Sequence, residues 1–169
     1  MAEVALEEIR EAVRRLEALG LAEHVPHHGA KVTGLEVEEL RELFSVRLAL
    51  ETIAVRRACE RMSLDDIDFL RLLLMRQRRA ADAGREDEFI DLDEQFHLRI
   101  AAGAQLQLVE RFLRQLRGFV RLMRLGTSRR AGHLQLVLEE HTAIADALEA
   151  RDADRAVAAL HDHLRRSDY

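Results

Sequence analysis

Long stretches of helix-forming sequence with few interruptions most limit how this chain can fold. Its 169 residues contain one proline and eight glycines, so few points force a helix to end. Apolar residues recur at three- and four-residue spacing through most of the chain, which is the period of one helix face. The exception is the segment 21–35, which contains Pro26, Gly29 and Gly34. We expect two short strands there, joined by a turn at His27–Gly29.

The predicted fold is all-α. It is an antiparallel bundle of about six helices, preceded by one helix and a short β-hairpin. Ser63 and Asp66 have the spacing of a capping box, which favours a helix start at this point. The helices are expected at about residues 3–19, 36–61, 63–83, 87–102, 105–125, 130–150 and 152–166.

Charge and composition exclude several classes of protein. The net charge of -5 disfavours nucleic-acid binding by this domain alone, because a negative domain is repelled by the phosphate backbone. Cys59 is the only cysteine, which excludes an intrachain disulfide and a cysteine-based zinc cluster. No apolar run approaches the roughly 20 residues that a membrane span needs, and residues 1–10 lack the apolar core of a signal peptide. We therefore expect a cytoplasmic protein with no membrane partner.

Ionisable residues interrupt the apolar stripes of three predicted helices. Asp93 and His97 are four residues apart, so both side chains project from one helix face. His141 lies in the middle of the next stripe and His163 beside the last one, whereas His161 is expected to face water. A buried carboxylate is costly unless a cation or hydrogen bonds compensate. Three imidazoles and one carboxylate are a donor set for divalent metals, so Asp93, His97, His141 and His163 are candidate ligands.

Structural explanations of these polar residues stay open. A single histidine in a stripe is often a hydrogen-bonded core residue, and an Asp/His pair one turn apart can be a surface ion pair. Arg47 also lies in a stripe and requires a partner, either Glu51 one turn later or an anionic ligand. Arg121 and Arg117 belong to a basic row on the 105–125 helix and are candidates to hold a ligand carboxylate.

These residues resemble the GntR superfamily of transcription regulators, in its FadR-type branch, whose C-terminal effector domain is called FCD. The resemblance covers roughly residues 36–167. It implies an FCD-like helical domain at 35–169, in which Asp93, His97, His141 and His163 bind a divalent metal. Zinc is the first choice, with nickel, manganese, cobalt or iron as alternatives. It also implies a small organic carboxylate effector near Arg47, and a homodimer. The matching motifs are Arg47-x-x-x-Glu51, Asp93-Glu-Gln-Phe96-His97-x-x-Ile100, Glu140-His141-x-x-Ile144 and Ala159-Leu160-His161-Asp162-His163-Leu164.

The N-terminus resembles the end of the family's winged helix-turn-helix, so we place a partial remnant of that domain at residues 1–34. Residues 9–21 resemble the recognition helix and its exit, and residues 25–32 resemble the wing. The candidate DNA contacts are Arg10, Arg14 and Arg15. About two helices of the family pattern are missing before this point, and residues 1–33 hold four bases against six acids. The expectation is either a truncated form or a chain that has lost DNA binding.

The leading hypothesis is a ligand-responsive transcription regulator without enzymatic activity. Operator DNA is its expected partner if the full winged helix is present. A metal-dependent, hydrolase-like enzyme is one alternative, since a metal with open positions can activate water. No clear general base accompanies it, because Glu140 should point about 100° away from His141. A metal-stabilised dimeric sensor module that no longer binds DNA is the other alternative.

Overall fold

Helices make up most of the computed structural model, which describes residues 2–18, 22–26, 29–32, 36–124 and 132–167. Seven helices and one two-stranded antiparallel sheet lie in these ranges, which confirms the predicted fold class. None of the described helices is long and apolar enough to cross a membrane. The elements are α1 (Ala2–Ala18), β1 (Ala22–Val25), β2 (Gly29–Val32), α2 (Val37–Arg61), α3 (Leu64–Asp82), α4 (Glu86–Gly103), α5 (Gln107–Arg124), α6 (His133–Glu149) and α7 (Ala153–Ser167).

The chain divides into two compact units, Met1–Glu42 and Leu43–Tyr169. In the first unit α1 contacts β1, and β1 pairs with β2 so that Ala22 lies opposite Val32. Gly29 has a φ of 90°, a conformation that glycine adopts without strain at the start of β2. Residues 33–35 lie outside the described ranges, so the domain boundary between 34 and 35 stays a prediction.

The second unit is a helical bundle with a continuous apolar core. Helix α3 packs against α4 and α6, α4 packs against α5, and α6 packs against α7. Short turns join α3 to α4 and α6 to α7, which makes these neighbours antiparallel. The fully buried side chains at the centre include Leu70, Leu73, Phe89, Phe96, Ile144, Leu148 and Leu160.

The start of α3 is fixed by the predicted capping box. Asp66 N donates to Ser63 Oγ at 3.2 Å, and Ser63 N donates to Asp66 Oδ2 at 2.9 Å. Burial acts to raise the pKa of Asp66, but the hydrogen bonds from Ser63 and the charge of Arg99 outweigh it and lower that pKa. An N-cap of this kind typically stabilises a protein by about 1 kcal/mol.

Arg151 ties the end of α2 to the turn between α6 and α7. Its guanidinium donates to the carbonyl oxygens of Cys59 at 3.0 Å and of Met62 at 2.6 Å. These carbonyls belong to the last turn of α2 and the residue after it, where partners inside the helix run out. Arg151 itself has a φ of 58°. The contact holds α2 against the part of the bundle that carries the candidate ligands.

Candidate metal centre

Helix α4 supplies two of the four candidate ligands from one face. Three acidic residues in its first turn, Glu86 to Glu88, complement the positive end of the helix dipole. Further along, Phe89, Phe96 and Ile100 enter the core, and Asp93 and His97 share that buried side with 3% exposure each. The stripe that made these residues candidates is therefore the face that the fold buries.

Helices α6 and α7 bring two more histidines to the same point. His141 and His163 are fully buried, and their Nε2 atoms are 3.3 Å apart. His163 Nε2 is also 3.2 Å from His97 Nε2, and His141 Nε2 is 3.4 Å from Asp93 Oδ1. The four donor atoms all lie within 4.8 Å of one another. The structure thus brings together all four residues that the stripes and the family resemblance had singled out.

Each histidine of this cluster is held from behind through its other ring nitrogen. His97 Nδ1 lies 2.6 Å from Glu51 Oε2, and His163 Nδ1 lies 2.9 Å from Glu140 Oε2. His141 Nδ1 lies 2.9 Å from Gln77 Oε1. All three partner atoms are oxygens that can accept from a protonated Nδ1, and the Nε2 atoms of the three rings face one another.

Arginines stand behind the two carboxylates. Arg47 Nε donates to Glu51 Oε1 at 2.8 Å, and both side chains are buried. Arg166 Nη1 donates to Glu140 Oε1 at 3.2 Å from a side chain that is 59% exposed. The two terminal nitrogens of Arg47 are buried and have no hydrogen-bond partner among the described residues. Such a group has spare capacity to bind an anion.

The charge balance around the cluster favours a cation. Asp93, Glu51 and Glu140 are buried carboxylates, and among the described residues Arg47 is the one fully buried guanidinium beside them. Phe96 stacks on His141 with ring centroids 4.5 Å apart and so provides an apolar wall. Carboxylates in such surroundings are costly without nearby positive charge. The donor types, their burial and their spacing all fit a divalent metal ion.

The other predicted site residues are placed differently. Arg47 is buried and paired with Glu51, one of the two partners expected for it. The side chains of Arg117 and Arg121 lie outside the described residues, as does that of Arg15. Arg10 and Arg14 are exposed on α1 and both contact Glu7, at 3.5 and 3.0 Å.

Sequence reasoning missed two partners of the histidines. Gln77 follows Leu70 and Leu73 at helical spacing, so the stripe test applied to the histidines would have found it. Glu140 points away from His141, as expected, but its carboxylate reaches His163 on the neighbouring helix. The expectation that His161 faces water is wrong. It is half-buried, and its Nε2 is 3.0 Å from the Thr52 hydroxyl, which itself donates to a carbonyl of α2.

Comparison with known proteins identifies the family of this helical domain. A family model described as the FCD domain matches residues 42–166. The chain is 28% identical over 162 residues to the HTH-type transcriptional repressor RspR of Escherichia coli, covering 96% of this chain and 71% of that protein. It is 30% identical over 160 residues to the Nta operon transcriptional regulator of Aminobacter aminovorans, covering 94% and 73%.

A solved structure supports the same fold. McbR/YncC of Escherichia coli superposes with a TM-score of 0.84 at 24% sequence identity, covering 93% of this chain and 79% of that one. The chain therefore shares the fold of that protein. The chain belongs to the FCD domain family, within the GntR superfamily. Family and relatives confirm the prediction of a regulator rather than an enzyme.

The carboxylates behind His97 and His163 generate a first prediction. We expect Glu51→Gln to weaken zinc binding by about 10–100-fold, because an amide holds the imidazole less firmly and makes it a less basic ligand. Competition with a fluorescent chelator measures the change. Glu60→Gln, an exposed change on the same helix with the same loss of charge, is the control. Equal zinc affinity in Glu51→Gln and the control would remove Glu51 from the site.

Proposed function

We propose that this FCD domain binds one divalent metal ion through Asp93, His97, His141 and His163, and that a small carboxylate effector binds beside that ion. The convergence of three Nε2 atoms on one carboxylate carries this proposal. Where the outer nitrogens donate to their oxygen partners, the lone pairs of the inner nitrogens repel one another at 3.2–3.3 Å. A cation between them turns that repulsion into coordination.

Zinc is the metal we propose, with nickel, manganese, cobalt and iron as alternatives. Zn–N bonds of about 2.0–2.1 Å separate neighbouring ligands of a tetrahedral shell by about 3.3 Å. Three of the separations, 3.2, 3.3 and 3.4 Å, are close to this value. The separation of His97 Nε2 from Asp93 Oδ1 is longer, at 4.0 Å, as in a shell that has room for a further ligand.

Loss of a ligand tests the metal centre directly. We expect the wild-type chain to retain zinc after dialysis and His141→Ala to lose it, as measured by mass spectrometry of the metal. Free zinc at 100 times its Kd should stabilise the wild type by about 2.7 kcal/mol, which appears as a raised Tm.

His161→Ala is the matched control, because this histidine lies on α7 beside the centre but bonds Thr52 instead. It should retain zinc and its Tm response. A wild-type chain that takes up neither zinc nor nickel, or a His141→Ala chain that binds zinc as tightly as the wild type, contradicts the proposal.

Arg47 is the side chain proposed to hold the effector. It is 1% exposed, and one of its nitrogens bonds Glu51, which in turn holds the ligand His97. Its two terminal nitrogens form the fork that binds a carboxylate in bidentate fashion. An effector carboxylate on Arg47 would then be linked through Glu51 to the metal ligand His97. Arg117 and Arg121 stay proposed as further contacts.

A conservative exchange tests this role. We expect Arg47→Lys to bind succinate and citrate about 10-fold or more weakly than the wild type, because lysine keeps the charge beside Glu51 but loses the fork. Calorimetry on the zinc-loaded chain gives the affinities, and zinc content should stay unchanged. Succinamide, which lacks the carboxylates, is the ligand control. Equal succinate and citrate affinities in the two proteins would exclude Arg47 from effector binding.

We also propose that the regulator acts as a cytoplasmic homodimer on operator DNA, through Arg10, Arg14 and Arg15. A dimeric sensor without DNA binding is the second candidate, because Glu7 already pairs with Arg10 and Arg14.

Light scattering should give about twice the 19.4 kDa chain mass. Fluorescence anisotropy with duplex DNA separates the candidates. The control is Arg165→Ala, which changes an exposed arginine of α7. Weaker DNA binding by Arg14→Ala than by this control supports the DNA-binding regulator, and equal DNA affinities support the sensor.

A further inference from the structure

Gln77 is the exception among the three partners that hold the histidines. His97 and His163 are backed by the carboxylates of Glu51 and Glu140, but His141 is backed by a neutral amide. Gln77 is completely buried on α3. Its oxygen and nitrogen are almost equal in size, and rotation about the terminal torsion exchanges their positions.

This chemical difference decides which ring nitrogen can carry the proton. A carboxylate only accepts hydrogen bonds, so His97 and His163 keep their Nδ1 protons in every state of the site. An amide both accepts and donates. Gln77 can accept from His141 Nδ1–H through its oxygen, or donate to an unprotonated Nδ1 through its nitrogen.

We propose that Gln77 is a positioning residue that lets His141 change tautomer between the metal-free and the metal-bound protein. The inference rests on the proposed metal centre. In the metal-bound form His141 carries its proton on Nδ1, donates it to Gln77 Oε1 and leaves Nε2 free for the ion. In the metal-free form the amide is turned over and its nitrogen donates to the unprotonated Nδ1 of His141, while the proton on Nε2 of that ring is donated to His163 Nε2, 3.3 Å away. One proton leaves Nε2 and one arrives on Nδ1 through exchange with water, so the ring stays neutral.

The hydrogen bonds of Gln77 support such an exchange. Its Nε2 is buried and has no hydrogen-bond partner among the described residues, although glutamines that only support a core normally satisfy both ends. The amide can thus bond His141 Nδ1 through its oxygen in one orientation and through its nitrogen in the other.

The surroundings of His141 favour a change of tautomer over a change of ring position. Phe96 stacks on the imidazole with an angle of 17° between the ring planes. His163 and Gln77 lie at the two nitrogens on opposite sides of the ring. A proton can move between these nitrogens while the ring stays where it is. The metal-free site is then relieved of one lone-pair repulsion without any rearrangement of the helices.

Nitrogen NMR of the wild-type chain tests the inference without a substitution. Two-bond proton–nitrogen spectra of the imidazole rings report which nitrogen is protonated. We expect His141 to carry the proton on Nε2 in the metal-free chain and on Nδ1 after zinc is added, while His97 and His163 keep Nδ1–H in both. A proton on His141 Nδ1 in both states, with zinc bound normally, overturns the role of Gln77 and leaves the metal centre intact. A chain that takes up no zinc overturns both proposals.

Gln77→Glu extends the test, because it replaces the amide with an acceptor-only group of the same shape. We expect His141 to carry Nδ1–H with and without zinc in this variant, and zinc affinity to increase by about 10-fold. Gln115→Glu, an exposed change on α5 with the same charge, should match the wild type in both measurements. A metal-free Gln77→Glu chain with the wild-type ring spectrum also overturns the inference. If this variant does not fold, the wild-type spectra still decide.

Discussion

Three hydrogen bonds made by histidine Nδ1 atoms govern the interior of this bundle. Each bond runs outward to a residue on another helix, so each ring is fixed in orientation as well as in position. The Nε2 atoms are therefore held facing the centre of the cluster. A metal centre requires this rigidity, because affinity depends on lone pairs that already point at the ion.

The same arrangement places polar groups where a helical bundle normally packs apolar ones. Eight polar or charged side chains are buried among the described residues, and seven belong to the cluster or contact it directly. The eighth, Arg47, reaches it through Glu51. Buried ion pairs of this kind contribute little to stability after desolvation. Their concentration at one point indicates a binding site that the surrounding apolar core supports.

Much of the fold could be predicted from the sequence because helical periodicity is a local property. The helix boundaries, the Ser63 capping box and the hairpin all depend on residues close together in the chain. The four candidate ligands were also visible, since each is a polar residue at an apolar position. The family resemblance links them through the order of their motifs along the chain.

Partners between helices were harder to predict. Glu140 is adjacent to a ligand in sequence, yet it serves His163 on α7, and only the packing of α6 on α7 decides this. Gln77 continues the stripe of Leu70 and Leu73, but its spacing does not indicate that it faces His141 on α6. His161 meets Thr52 across the bundle, 109 residues away in the chain. No sequence spacing encodes such pairings, which depend on how the helices pack together.

The candidate ligands are also far apart along the chain, with His97 and His163 separated by 66 residues and His141 and His163 by 22. An ion held by them is a cross-link that closes two long loops, and closing such loops removes conformational entropy from the unfolded chain. Helix α7 packs mainly against α6, and a helix with few packing partners opens locally and is cut by proteases more readily than the rest of a fold. With the proposed ion bound, α7 could not detach without breaking coordination, so the lifetime of the protein would follow the supply of metal.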